Sequence, residues 1–326
     1  GDDSFQTPLG VSPVLLSLGS IGNKDSFFVL DVSDCKDLSD KQGALKSNLI
    51  NCLTIASILK NPDFRIADLQ STETKLLYDF AECYQGIITG DKNRFFITFW
   101  EIISRNNNWE YIRTTNNTNN VFGGMSNLIF WQKGNGVLHE YAIQNREKLH
   151  DMHESGNLAW GKLGVLINQQ GTLKTTPYYG EKFEGSVSVL FPQKRENLLP
   201  LFCYSISEDY RNEIRKIDKK RNVTNATFLK VPFDLSFWQK VADEKYPNGL
   251  PKPYSDDPTQ WLFHGHPIKA ENALQVAVAR LLGYRWPAES DKEMELSDEA
   301  RELIKQVNEL ELPVDEDGIV CIPPVY

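Results

Sequence analysis

No two of the five cysteines are spaced as a C-x-x-C pair, and their number is odd. That spacing argues against a zinc ribbon or a disulfide framework and makes a reducing, cytoplasmic setting the expectation. No stretch approaches the roughly 18 apolar residues that a membrane-spanning helix needs. The opening GDDSFQTPLG has neither a basic n-region nor an apolar h-region, so no signal peptide is expected. A G-x-S-x-G elbow is missing, as is a G-x-x-x-x-G-K-[ST] phosphate loop. These gaps remove the commonest hydrolase and NTPase readings.

What is present is a chain of 326 residues, 40% apolar and 24% charged, the composition of a globular protein long enough for two domains. The net charge of −9 is not spread evenly. Residues 289–317 hold twelve acidic and three basic side chains, a local −9, which leaves 32 of each sign elsewhere. Charges separated by more than about 8 Å are largely screened at physiological salt, so a basic face elsewhere remains compatible with the acidic segment.

Residues 1–74 mix short apolar runs such as SFFVLDV with polar turns and read as a connector. STETKLLYDFAECY, 71–84, has apolar residues at helical spacing and predicts a helix capped by Ser71 or Thr72. From 95 to 231 the segments FFITFWEIIS, WEYIR, NLIFWQ, GVLINQ, SVSVLF and TFLKVPF read as strands. One helix interrupts them, starting at a Ser207 cap with Ile206, Tyr210, Ile214 and Ile217 on one face. The Gly134-Asn135-Gly136 turn reads as a hairpin between two strands. Residues after Pro232 read as Pro-rich loop, followed by a helix that stops at Gly283 and an acidic C-terminal helix. The fold class expected is α+β, with a mixed, mainly antiparallel β-rich centre over 75–240, interspersed helices, and a loop and helical C-terminal appendage over 241–326.

Candidate chemistry divides into three sets. YQGIITGDKNRFFITFW places Gly86, Thr89 and Gly90 before Lys92, Asn93 and Arg94. Glycine permits close backbone approach to an anion and the cations follow, so phosphate contact is chemically reasonable. A nuclease or hydrolase reading uses Asp63 with Glu73 and Lys75, although Glu73 sits where a carboxylate favours a helix start. A zinc reading uses His139, His150 and His153, or His264 and His266; capping and surface roles compete with it. The third set is a binding inventory. Arg211, Arg215 and Lys219 fall at i, i+4, i+8 on the predicted helix. RTTNNTNN, 113–120, and NQQGTLKTTPYY, 168–179, add amides beside cations, which can bond base edges and phosphates.

GIITGDKNRFF resembles the G-I-x-T-G-x-N-x-x-F signature that opens target-recognition domains of adenine-specific DNA methyltransferases of restriction-modification systems. NLAWGKLGVLINQQGTLKTTPYYGEKFEGSVSVLFP, IDKKRNVTNATFLKVPFDLSFWQKVA and DPTQWLFHGHPIKAENALQVAVARLLGYRWP are similar to the C-terminal part of large N6-adenine methylases of type II and type IIG-like kinds, with a TaqI-like C-terminal specificity region. The resemblance covers most of 75–320. It implies a DNA-recognition module with double-stranded DNA as partner and a role in phage defence. The family's glycine-rich S-adenosylmethionine loop and its [ND]-P-P-[YF] motif do not occur here. Catalytic residues, metal and cofactor are therefore expected to be none in this chain. S-adenosylmethionine is expected for a parent enzyme whose catalytic methyltransferase domain lies upstream or in a partner subunit. DNA-contacting residues on this reading are Thr89, Gly90, Lys92, Asn93, Arg94, Gln169, Gln170, Thr172, Lys174, Arg211, Arg215 and Lys219. Two residues separate Gly90 from Asn93 where the family signature has one. A module that only docks a methylase to its partners, without contacting DNA, is the remaining alternative.

Overall fold

The computed structural model describes residues 25–32, 35, 37–59, 75–102, 106–116, 123–250, 273–285, 289, 301, 302 and 304–306. Strand β1 (Ser26–Val29) pairs antiparallel with β2 (Asn51–Thr54), with helix α1 (Leu38–Ser47) between them in sequence. The short α2 (Ile55–Ile58) follows, capped by Thr54, whose side chain accepts from the Ser57 N–H at 3.0 Å. Next come β3 (Ala81–Gln85), α3 (Lys92–Phe95), β4 (Phe96–Thr98), β5 (Trp109–Arg113) and β6 (Asn127–Phe130). Helices α4 (Val137–Gln144) and α5 (Arg146–Leu149) lead to β7 (Gly164–Asn168), β8 (Thr175–Tyr178), β9 (Lys182–Phe183) and β10 (Val187–Pro192). The chain then turns helical in α6 (Leu198–Ser205), α7 (Glu208–Ile217), α8 (Leu235–Lys245) and α9 (Ala273–Leu281).

Two four-stranded sheets form the centre, and the fold is α+β. The first has the order β3-β10-β7-β8 and is antiparallel throughout. The second has the order β4-β6-β5-β9, antiparallel except for the parallel β5–β9 pair. Consecutive strands β8, β9 and β10 carry the chain from the first sheet to the second and back. All five residues of β7 are buried, because both faces of this central strand are covered. Val165 and Ile167 pack with α6, α7 and α8 through Leu201, Phe202, Tyr210, Ile214 and Trp238, while Leu166 packs with Tyr178, Phe183 and Val189. A strand covered on both faces reads as a continuous apolar run, which is how GVLIN stands in the sequence.

The strands expected at WEYIR, NLIFWQ, GVLINQ and SVSVLF form, as does the Ser207-capped helix, where the serine side chain accepts from the Tyr210 N–H. Gly283, at φ +104°, follows the last turn of α9 as expected. Four expectations are corrected. Residues 81–84 are not helical but the body of β3, because Ala81–Gln85 finds a pairing edge on β10, more than a hundred residues away. TFLKVPF forms a 3-10 turn, Thr227–Leu229, instead of a strand; Pro232 lacks a ladder donor and Phe228 fills the core beneath. The Gly134–Gly136 turn joins β6 to helix α4 and not to a strand, since Gln132 Oε1 accepts from the Val137 N–H at 2.8 Å and caps the helix start. Residues 235–245, expected as loop, form α8 on an Asp234 cap that accepts from the Phe237 N–H at 3.0 Å. Helix α6 had no helical signature because it is apolar all round, the pattern of a buried helix. Pro200 lies in its first turn, where the missing N–H costs nothing. Of the acidic segment, only positions 289, 301, 302 and 304–306 fall within the described residues.

Candidate nucleic-acid interface

Register places the polar segments of the sequence together. Gln85 lies opposite Ser188, Asn168 opposite Val187, and Ile167 opposite Thr175. The C-terminal ends of β3 and β7 therefore share one edge with the N-terminal starts of β8 and β10. The C-terminal end of β5 joins them, because the Glu184 N–H donates to the Arg113 carbonyl at 2.8 Å. Loops 86–91 and 169–174 and the start of 114–116 leave the sheets at this one end.

Residues 184–186 tie these loops to each other. Lys92 Nζ sits 2.7 Å from Glu184 Oε1, and Ser186 Oγ donates to Glu184 Oε2 at 3.0 Å. Thr115 Oγ1 donates to Ser186 Oγ at 3.1 Å, and the Gln169 N–H donates to the Ser186 carbonyl at 3.2 Å. Gln85 Nε2 donates to the Gly185 carbonyl at 3.1 Å. Asn116 and Asn168 exchange a further pair of bonds, 3.1 Å from the Asn116 N–H to Asn168 Oδ1 and 2.8 Å from Asn168 Nδ2 to the Asn116 carbonyl. Sequence reasoning singled out none of Glu184, Gly185 and Ser186. Their only local signal is a glycine between two strand-like runs.

The opening loop is built for packing as well as exposure. A Cβ on Gly86 would stand 2.2 Å from the Phe183 carbonyl oxygen, so this glycine allows the loop to run against 183–184. Gly90 has φ +74° and faces Leu149, and Thr89 is buried. The chain then enters α3, where Asp91 Oδ1 accepts from the Arg94 N–H at 3.3 Å, and only afterwards β4. Lys92, Asn93 and Arg94 are exposed. Lys92 lies over the Phe96 ring at 5.4 Å, while Arg94 lies 5.1 Å from the Phe95 ring and 5.2 Å from the Tyr141 ring. Contacts with rings at these distances favour both cations at the surface.

Two further expectations are corrected. Gln169 is only 3% exposed; its Nε2 donates to Ser188 Oγ at 3.0 Å and its carbonyl accepts from the Val223 N–H at 2.9 Å. It anchors the 169–174 tip from inside, and Gln170 and Thr172 are the exposed side chains there, with Lys174 half-buried. The stripe of Arg211, Arg215 and Lys219 is not one helical face, because α7 ends at Ile217. Arg215 turns in and donates to the carbonyls of Gly171 at 3.0 Å and Lys220; burial lowers its guanidinium pKa. Arg211 donates to the Ile206 carbonyl at 3.1 Å, and Lys219 pairs with Asp31 at 3.0 Å. Arg215 thereby fastens the turn after α7 against the loop tip, and that turn exposes Lys220 and Arg221.

Arg113, first residue of the RTTNNTNN run, is wholly buried. Its NH2 donates to Thr176 Oγ1 at 2.6 Å and to the Pro177 carbonyl at 2.9 Å, and Glu181 stands 3.9 Å away. Desolvation lowers its pKa against the pull of Glu181. The side chain links the two sheets and is withdrawn from any ligand.

Of the metal candidates, His139 and His153 come together, with Nδ1 of the first 3.1 Å from Nε2 of the second. Glu154 Oε1 lies 3.8 Å from the same His153 nitrogen. His153 is buried, and desolvation lowers its pKa, with Glu154 opposing. His150 is exposed at φ +48° and is not in this group. Lys75 is exposed and lies 6.0 Å from the Phe80 ring. Asp63, Glu73, His264 and His266 lie outside the described residues.

No family model matches the sequence, and no curated protein matches it. Among solved structures, the chain is similar to the type IIL restriction-modification enzyme MmeI, determined in complex with DNA, at 13% identity and a TM-score of 0.34. The alignment covers 81% of this chain and 40% of that enzyme, so the chain spans well under half of the enzyme's length. A likeness at that score carries no functional inference. Among the described residues, no helix is long and apolar enough to cross a membrane.

Proposed function

We propose that the chain is a double-stranded DNA recognition module of a restriction-modification system. The observation that carries the reading is the convergence of three polar segments on residues 184–186, far apart in sequence and joined by side-chain bonds from Gln85 and Thr115 and a main-chain bond from Gln169. Surfaces that read nucleic acid combine fixed backbone cations with amide and hydroxyl groups on positioned loops. On this surface Lys92, Asn93, Arg94, Lys220 and Arg221 take the phosphate role, and Gln170 and Thr172 reach base edges. Thr89, Gly90, Gln169 and Arg215 hold the loops in place. Lys174, Arg211 and Lys219 lie at the margins.

The finer reading follows the sequence resemblance: a TaqI-like target-recognition region of an N6-adenine methyltransferase. The adenine pocket and S-adenosylmethionine would then belong to a catalytic domain upstream or in a partner subunit, since base flipping and methyl transfer need a pocket whose motifs this chain lacks. The test is selection of duplexes from a random library by the purified chain, followed by anisotropy titration of the selected sequence against a scrambled one. A selected motif whose preference is lost in Gln170→Ala and Thr172→Ala supports the reading. Absence of binding beyond that of a heparin control refutes it. Transfer of methyl label from S-adenosylmethionine to DNA by the chain alone would refute the division between recognition and catalysis.

A further inference from the structure

We propose that His139, His153 and Glu154 form a binding site for a divalent transition ion of the zinc class, separate from the surface assigned above to DNA. His139 lies in the first turn of α4, and His153 and Glu154 lie in the 3-10 turn Met152–Glu154. The rings are not stacked face to face: their planes meet at 57° with centroids 5.2 Å apart, and the two nitrogens lie 3.1 Å apart in an N–H···N hydrogen bond that an ion would replace. Zinc–imidazole bonds of about 2.0–2.1 Å at a tetrahedral angle hold two ligand nitrogens roughly 3.3 Å apart. The pair already stands near that spacing. The three donor atoms lie within 4.8 Å of one another, and the Glu154 side chain is 48% exposed, so its carboxylate can swing toward both nitrogens at little cost.

Two imidazoles and one carboxylate, with no thiolate, suit zinc and its neighbours over copper(I) or magnesium. Three protein ligands leave a fourth position for water on the solvent side of Glu154. The coordination also fixes the proton. An ion on His153 Nε2 requires that ring's hydrogen on Nδ1, which is buried and has no hydrogen-bond partner. Tight zinc sites give that N–H an acceptor. Its lack here sets a modest, exchangeable affinity instead of a permanently filled centre.

The turn that supplies two ligands is bonded to the opening loop, since the Ile88 N–H donates to the Met152 carbonyl at 2.9 Å. An ion joining that turn to α4 therefore stiffens the support of Thr89 and Gly90 without touching the exposed cations. Zinc occupancy should raise the thermal midpoint of the protein.

Calorimetric titration of the purified chain with zinc(II), and visible spectroscopy with cobalt(II), test the proposal. One equivalent of ion should bind, with a cobalt spectrum of low-symmetry nitrogen and oxygen ligation, and the thermal midpoint should rise with zinc. His139→Gln, at a half-buried position, should weaken binding by at least roughly tenfold, the lower bound for losing even an outer-sphere partner. Glu154→Gln, at an exposed position, should weaken it as well, and His150→Gln should leave it unchanged. His153→Gln is informative where it folds, and the other two variants decide the matter where it does not. Absence of zinc binding overturns the proposal, and so does binding that His139→Gln and Glu154→Gln leave at full strength.

Discussion

Replacing Glu184 separates two consequences of the loop junction, its charge and its hydrogen bonds. Glu184→Gln keeps an acceptor for Ser186 Oγ but removes the 2.7 Å ion pair with Lys92. The lysine side chain is 53% exposed and the glutamate 17%, so the pair belongs near the upper end of the range for surface pairs, about 0.5–1 kcal/mol. Unfolding by urea should show a loss of that size. Glu184→Ala also leaves Ser186 Oγ, which accepts from Thr115, without its own acceptor, and adds about 1 kcal/mol. The effect on DNA should run the other way for non-cognate sequences. Either substitution removes a carboxylate that competes with phosphate for Lys92, so the salt slope should steepen by up to about 0.9 as that contact becomes complete. Discrimination between cognate and scrambled duplexes should fall in Glu184→Ala, where Ser186, the partner of both Thr115 and the Gln169 N–H, loses the acceptor that holds its side chain, and should fall little in Glu184→Gln. Anisotropy titrations from about 50 to 200 mM salt would read both quantities. Unchanged slopes in both variants, together with unchanged discrimination in the alanine variant, would refute the role of 184–186 as the organiser of the surface.

Gly86→Ala should destabilise the fold by at least about 1–3 kcal/mol through overpacking, because its Cβ would lie 2.2 Å from a backbone oxygen; a variant as stable as the parent in urea would contradict the packing argument. Gln169→Ala should cost about 1–3 kcal/mol of stability by leaving a buried partner unsatisfied, whereas Gln170→Ala should change stability by less than about 0.5 kcal/mol and weaken cognate DNA selectively. A reversal of the two, measured by denaturation and anisotropy, would show the tip to be mis-assigned. Lys92→Ala with Arg94→Ala should weaken cognate and scrambled duplexes by similar factors, and loss of discrimination at an unchanged salt slope would mean that these residues read bases. The lowered pKa of His153 means that the folded state binds fewer protons than the unfolded chain, so its neutral form supports the fold above the ordinary value of 6.5 and that support is lost as pH falls below it. His153→Asn, compared with the parent from pH 7 to pH 5, should flatten the decline in stability, and an equal decline in both would remove His153 as its source.

Local pattern was enough for the elements whose signal is carried within a few residues. The apolar run GVLIN marked a strand covered on both faces, Ser207 marked the start of α7, and Gly283 marked the stop of α9, each because one turn or one strand contains its own chemistry. The candidate cations and amides were visible for the same reason. Their grouping was not, nor was the direction each side chain takes. Gln169 and Gln170 are neighbours in sequence, and only the pairing of β7 with β10 turns the first inward and leaves the second at the surface. Ala81–Gln85 has helical spacing, yet it became a strand because β10 supplied an edge that no local preference could outweigh. The bonds that gather the loop end join residues 52, 71 and 100 positions apart, and the two histidines of the proposed ion site are 14 apart on separate elements. Sequence spacing reports what one element places on one face, whereas contacts across that range exist only after the chain has closed the intervening loops, so the tertiary fold alone decided them.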